Sequence, residues 1–316
     1  MEKFSFDEVD ILLIDPDRTV RSMMRNILID NGFRKVTVGG SMNDIEDQFR
    51  LGMPDLLITD IKLEDGDVNQ FIHDLRHHDV ASNPFLPIIV TAWSPTTDDV
   101  RAIVQSGADD LITKPLSAAQ ILQRIKALVN ARKPFVVTSG YIGPDRRKPG
   151  ADHDRGVKID PINVPNILRE KAVGDHHVDV NAIQAQIDAC IKLVNLEKLE
   201  RHSQQVAWLV ERIVPGLAFG EPDDATTGQL NRLLYVSEDI SRRMVGTKFE
   251  HVGELCRSLI EVTTRIINSG SMPMPKDVGL LKPLAQSIQR GFDESDTEAA
   301  RAAHEISSTV ATKPMH

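Results

Sequence analysis

Cysteine is nearly missing: Cys190 and Cys256 are the only two in 316 residues. That excludes a disulfide framework and a cysteine-rich zinc set, and it suits a reducing compartment. Aromatic residues are also scarce, with 10 Phe, 2 Tyr and 2 Trp, so the core must be mainly aliphatic. No long hydrophobic run occurs, and FLPIIVTAW, among the longest, falls far short of a bilayer. The opening stretch MEKFSFDEVD lacks the apolar centre of a secretory signal, so the expectation is a cytoplasmic protein without membrane association. Positive charge is in deficit as well. The 37 Lys and Arg against 46 Asp and Glu leave -9, which makes DNA an unexpected partner.

A chain of this length divides into about two domains. Its charge is uneven: residues 1–130 hold 13 basic and 21 acidic side chains, residues 131–158 hold 7 and 3, and the remainder holds 17 and 22. The basic middle stretch is rich in Gly and Pro and has no sustained periodicity, so it reads as a linker. The expected boundaries are 1–131 for a first domain, 132–177 for the linker and 178–316 for a second domain.

In the first domain, short apolar runs alternate with amphipathic stretches. The runs are DILLI (10–14), KVTV (35–38), DLLIT (55–59), LPIIVT (86–91) and DLIT (110–113), as expected of strands buried on both faces. Between them, Val20, Met23, Met24, Ile27 and Leu28 form a helical stripe closed by Asn31-Gly32. Further helices open at Ser41, at Asp67, within Pro95–Asp98 and at Pro115. Five strands alternating with five helices predict a doubly wound parallel α/β sheet, in which ligands sit beyond the carboxyl ends of the strands. Asp15 and Asp17, Asp60, Thr91 and Lys114 follow or end four of those runs. Each alone is an ordinary turn or cap residue. Together they supply two carboxylates for a hard cation, a phosphoryl-accepting carboxylate, a hydroxyl and a balancing ammonium.

The segments ILLIDPDRTVRSMMRNIL, PDLLITDIKLEDGD, LPIIVTAWS and SGADDLITKPL resemble the receiver domain of two-component response regulators over residues 9–130. The resemblance implies a flavodoxin-like five-stranded sheet of order 2-1-3-4-5. It implies Asp60 as phosphoacceptor, Thr91 as switch hydroxyl and Lys114 as the phosphate-facing lysine, joined to Pro115 by a cis bond. It further implies a Mg²⁺ site made by Asp15, Asp60 and the Lys62 backbone carbonyl, and a sensor histidine kinase or phosphotransfer protein as partner. The chain departs from the family twice. Pro16 stands where a second metal-binding acid is usual, leaving Asp17 either to reach the ion or to cap the first helix; weaker Mg²⁺ binding follows. Leu111 stands where an aromatic switch residue is common. Trp93, two residues after Thr91, should hinder attacking water and slow loss of the phosphoryl group.

From about Val178 the sequence is helical. Ile183, Ile187, Cys190, Ile191, Val194, Leu196, Leu199, Val206, Leu209, Val210 and Ile213 form one long stripe, ended by Pro215-Gly216. Its length suggests the seam of a bundle or of a homodimer. Further helices are expected at about 223–246, 248–268, 276–291 and 294–310. No nucleotide-binding glycine loop, catalytic signature string or basic recognition helix occurs in this half. The overall expectation is a signalling protein rather than an enzyme. A pseudo-receiver scaffold is the alternative, and a phosphorelay through His202 or His304 is another. YIGPDRRK (141–148) is the most motif-like string outside the first domain, and its Arg146, Arg147 and Lys148 are read as solvated basic residues or as a contact for phosphate or an acidic surface.

Overall fold

The computed structural model describes residues 4–147, 159–173, 179–217, 222–247, 249–270 and 273–293. The chain divides into two compact units at Val194/Asn195.

The first unit begins β1 (Asp10–Ile14), α1 (Arg18–Asp30), β2 (Lys35–Gly39), α2 (Met42–Leu51) and β3 (Leu56–Asp60). A two-residue ribbon, β4 (Lys62–Leu63) and β5 (Gly66–Asp67), leads into α3 (Val68–Arg76). Then come β6 (Ile88–Trp93), α4 (Thr97–Ser106), β7 (Asp110–Lys114) and α5 (Ala118–Ala131). The main sheet has the order β2-β1-β3-β6-β7, all neighbours parallel. With the ribbon set aside, that is the expected order of a doubly wound receiver sheet.

Alternation along the strands builds the two faces. Ile11 and Leu13 join Met24 and Leu28 of α1 and Ile121 and Ile125 of α5 in one core layer. Leu12 and Ile14 point the other way, to Ile45 of α2, Phe71 and Leu75 of α3 and Ile103 of α4. Side-chain caps set the helix starts: Asp17 for α1, Ser41 for α2, Asp67 for α3, Thr96 for α4 and Ser117 for α5. Ser117 corrects the expected opening of the fifth helix at Pro115. The Ser117 hydroxyl accepts from Gln120 N in a capping box, so α5 begins three residues later. The Lys114-Pro115 bond is cis.

The segment expected to be a linker is folded where it is described. β8 (Phe135–Val137) and β9 (Ile142–Pro144) form an antiparallel hairpin, and Phe135 also bridges to Ile162. α6 (Ile167–Val173) lays Leu168 and Ala172 on the α1–α5 core layer, while Lys171 pairs with Asp55 at 2.7 Å. Phe135, Val137 and Ile142 are each buried. Runs of three residues are too short to show a period, and Gly, Pro and Arg dominate the composition around them.

α7 (Val180–Leu217) is one 38-residue helix. It runs past Pro215, which had been expected to end it; a proline in the last turn removes only one backbone donor. Residues 180–194 of α7 belong to the first unit. The second unit holds the rest of α7 with α8 (Asp224–Met244), α9 (Glu250–Asn268) and α10 (Pro275–Asp293) around an aliphatic core that includes Leu209, Ile213, Leu233, Ile240, Leu259, Val262 and Leu284. The helix expected at 294–310, with His304, lies outside the described residues. No helix among the described residues is long and apolar enough to cross a membrane.

Candidate functional site

The carboxyl ends of four parallel strands bring Asp15, Asp60, Thr91 and Lys114 together. Asp15 follows β1, Asp60 ends β3, Thr91 pairs with Asp60 in the β3–β6 ladder, and Lys114 ends β7. The parallel register levels Asp15 with Asp60 and Asp60 with Thr91, while Lys114 pairs with Trp93 two residues further on and reaches the carboxylates with its long side chain.

The two carboxylates are held alike. One oxygen of Asp15 accepts the Asp17 N–H at 2.9 Å, and one oxygen of Asp60 accepts the Lys62 N–H at 2.7 Å. The other oxygen of each accepts a hydrogen bond from Lys114 Nζ. All three groups are buried, with Asp15 at 1%, Asp60 at 4% and Lys114 at 6% exposure. Burial pushes the Asp15 carboxyl above its usual range, against the pull of Lys114 and of the Asp17 N–H. Thr91 Oγ1 donates to the Thr59 carbonyl at a long 3.4 Å, a weak bond that a better acceptor can displace.

Asp17 caps α1, its Oδ1 accepting from Thr19 N at 2.7 Å and Val20 N at 3.3 Å. Those N–H groups hold its carboxyl below the usual range. Of the two roles the sequence left open, the structure shows the cap. Arg21 was not singled out from the sequence, yet its guanidinium donates to the backbone carbonyls of Asp15 and Pro16 and so braces the turn. Only the α1 register, one turn beyond the cap, could have suggested it.

Trp93 is 56% exposed and its ring lies 5.7 Å from Lys114 Nζ. With Val20, Met23, Pro115 and Leu116 it borders an apolar recess of about 130 Å³ beside the lysine. Leu111 is half-buried in β7. Among the described residues no group of three or more His, Cys, Asp or Glu could hold a metal ion. Asp15 and Asp60 nevertheless offer the hard anionic oxygens that Mg²⁺ takes, and Pro16 beside Asp15 offers no side-chain oxygen.

His202 lies in the second unit, on α7, fully buried and 3.5 Å from Asp239 Oδ2. A ring so enclosed does not suit a phosphoryl acceptor that must meet a partner protein. Arg146, although exposed, donates to the Ala108 and Asp109 carbonyls, and half-buried Arg147 pairs with Asp145 at 2.8 Å.

Residues 11–126 match the family described as response regulator receiver domain, and this part of the chain is a receiver domain. The chain is 32% identical over 128 residues to the phosphate regulon transcriptional regulatory protein PhoB of Escherichia coli K12, covering 40% of this chain and 54% of that one. It is 30% identical over 126 residues to the response regulator MprA of Mycobacterium bovis strain BCG, covering 40% and 53%. Among solved structures, a putative response regulator from Chloroflexus aurantiacus is 28% identical with a TM-score of 0.34, covering 38% of this chain and 96% of that one. The chain thus spans about half the length of the curated relatives it matches.

Proposed function

We propose that the protein is a response regulator whose Asp60 accepts a phosphoryl group from a partner histidine kinase, and whose helical second unit then associates with itself or with another protein. The observation that carries this reading is Lys114 Nζ bonded at once to Asp15 and Asp60, with Thr91 paired beside Asp60 in the sheet. An oxygen of Asp60 attacks phosphorus, a P–O bond forms, and the donor's P–N bond breaks as its imidazole takes up a proton. Lys114 balances the charge that gathers on the phosphoryl oxygens, and the Thr91 hydroxyl, weakly held, turns to donate to one of them. Asp15 and Asp60, with the Lys62 carbonyl, would hold Mg²⁺, which supplies further charge neutralisation when bound. Exposed Leu196 and Trp208 on the second unit's part of α7 support self-association. The charge balance of residues 159–316, 17 basic against 22 acidic, supports association in place of DNA binding. The cytoplasm, where such kinases have their donor domains, is the proposed location.

Incubation with a small acyl phosphate donor and Mg²⁺ tests the reading. Intact mass should show one phosphoryl group on the wild type and none on Asp60→Ala, with light scattering shifting toward a dimer only in the former. An unphosphorylated wild type would favour the pseudo-receiver scaffold.

Two further outcomes are expected at the same site. Trp93→Ala should shorten the phosphorylated lifetime several-fold, because the exposed indole over Lys114 covers the approach of water; an unchanged lifetime rejects that role. Pro16→Asp should bind Mg²⁺ about tenfold more tightly, since it restores an anionic oxygen beside Asp15. Quenching of Trp93 fluorescence by Mg²⁺ reads this out without any phosphorylation. Equal affinity in the two proteins, with binding lost in Asp17→Ala, would show that Asp17 leaves its cap to ligate the ion.

A further inference from the structure

We infer that the hairpin carrying YIGPDRR reads the position of α4 and passes it to the first half of α7, so that the receiver's state leaves the domain at the end of the sheet opposite Asp60. The trigger rests on the phosphorylation reading above; the mechanical link does not.

α4 has the site at one end and the hairpin at the other. Its start follows the Thr91–Trp93 strand end through Ser94, a non-glycine residue at φ 40°, a conformation that a small rearrangement relieves. Its C-cap is Gly107, in the left-handed region at φ 94°. There the two backbones nearly touch. A Cβ built on Gly107 would come 2.5 Å from the Ile142 carbonyl oxygen, and one on Gly143 would come 2.8 Å from Gly107 Cα. Two glycines face each other because nothing larger fits.

Charges fasten the same corner. Arg76, at the end of α3, is fully buried and donates to the carbonyls of Gly107 (2.9 Å), Pro84 (2.6 Å) and Leu86 (2.8 Å) and to Asp109 (2.9 Å). Arg132 joins it on Asp109 at 2.8 Å, and Arg146 reaches in from the motif to the Ala108 and Asp109 carbonyls. The Arg76 and Arg132 guanidiniums both lie over the Phe135 ring, 5.2 and 5.1 Å from its centroid. Residues 107–109 are therefore tied to the hairpin by backbone contact, by hydrogen bonds and by a shared aromatic ring.

The hairpin's other side is apolar. Phe135, Val137 and Ile142 pack with Ile183, Ile187, Cys190 and Val194 of α7 in one buried cluster. Among the described residues, close-packed backbone and side chains run from α4's end through the hairpin to α7, and such packing shifts as discrete arrangements and does not stretch. The motif that looked like a solvated basic tether is the coupling piece.

Amide exchange on the full chain, followed by mass spectrometry with and without an acyl phosphate donor and Mg²⁺, tests this. Phosphorylation should change exchange in residues 97–107 and in residues 180–194 of the wild type. Gly143→Ala and Arg146→Ala should take up the phosphoryl group and keep the first change while losing the second. Arg146→Ala leaves the β8–β9 pairing intact and guards against a hairpin that simply unfolds in the glycine variant. A response at 180–194 that persists in Arg146→Ala, or that is missing from the wild type while 97–107 responds, overturns the inference. If mass shows no phosphorylation, the trigger reading fails alone. The link then stands or falls on Gly107→Ala without donor, which must raise exchange at 180–194 while Gly32→Ala, at a helix end with open space around it, does not.

Discussion

Lys114→Met should destabilise the receiver by about 3–5 kcal/mol at pH 8, and the deficit should shrink as the pH falls. In the wild type one ammonium serves two carboxylates that are almost wholly shielded from water. Removing it leaves two like charges facing each other in a poorly solvated site, which pushes the Asp15 carboxyl up further. The sign follows from proton binding. Asp15 already has a raised folded-state pKa, so the folded protein binds more protons than the unfolded chain between the two values. Folding is therefore favoured as pH falls through that window and disfavoured as it rises, and the variant should show this more steeply. Adding Asp60→Asn to Lys114→Met should recover most of the loss, because one carboxylate alone has no like-charge neighbour. Mg²⁺ should raise the melting temperature of Lys114→Met more than that of the wild type, since the cation would supply the positive charge that the lysine no longer gives the two carboxylates. Denaturant titration at pH 5 and pH 8 checks the first claim and thermal melts check the last. A deficit independent of pH, or unrelieved by Asp60→Asn, would mean that packing of the lysine stem and not its charge holds the site.

The residues that make this site were legible because their spacing is local. A run such as LLITD can be read as a strand buried on both faces, and its last residue then has only one place to go in a parallel sheet. Asp67, Ser41 and Thr96 could be read as caps because a cap bonds to residues two or three further along. What could not be read depends on partners far away in sequence. Arg76 looks like any polar residue at the end of a helix, yet it is buried because Asp109 and three carbonyls meet it across 8 to 33 residues of separation. The hairpin at 135–144 was hidden for the same reason: its reason to fold lies in Phe85, Gly107 and α7. The apolar stripe of α7 was visible, but not that residues 183–194 face the receiver's own hairpin while Val206 to Ile213 face a different core. One helical stripe served two hydrophobic cores, and periodicity alone cannot divide it.

The second large effect concerns the helical unit, whose stability should climb steadily from pH 4 to about pH 10 instead of passing through a broad neutral optimum. Lys198 and His202, one turn apart on α7, are fully buried, and Asp239 of α8 faces them at 4% exposure. Arg243 donates to Asp239 at 3.0 Å and Arg242 at 2.6 Å; burial pushes the Asp239 carboxyl up, but Arg243, with His202 and Lys198, holds it well below its usual range. Burial pushes Lys198 down to about 7, with Arg243, Arg232 and Arg242 adding to the effect and Asp239 opposing it. Burial and then Lys198 push His202 down to about 4, with Asp239 and the Val236 backbone opposing them. In both cases the unfolded chain binds the proton more readily. Folding is thus favoured as pH rises from about 4 to 6.5 through His202 and from about 7 to 10.5 through Lys198. The same windows are lost in reverse as pH falls. Lys198→Met should flatten the upper window and stabilise the unit at pH 7, because a side chain of similar length then needs no charge in the interior. Asp239→Asn should cost about 3–5 kcal/mol at pH 7, since it leaves buried cations without their counter-charge. Trp208 is one of only two tryptophans and lies in this unit, so denaturant unfolding of the full chain in a Trp93→Phe background reports on it alone. If the slope between pH 7 and 10 survives in Lys198→Met, another group carries it and the lysine is charged in the folded state.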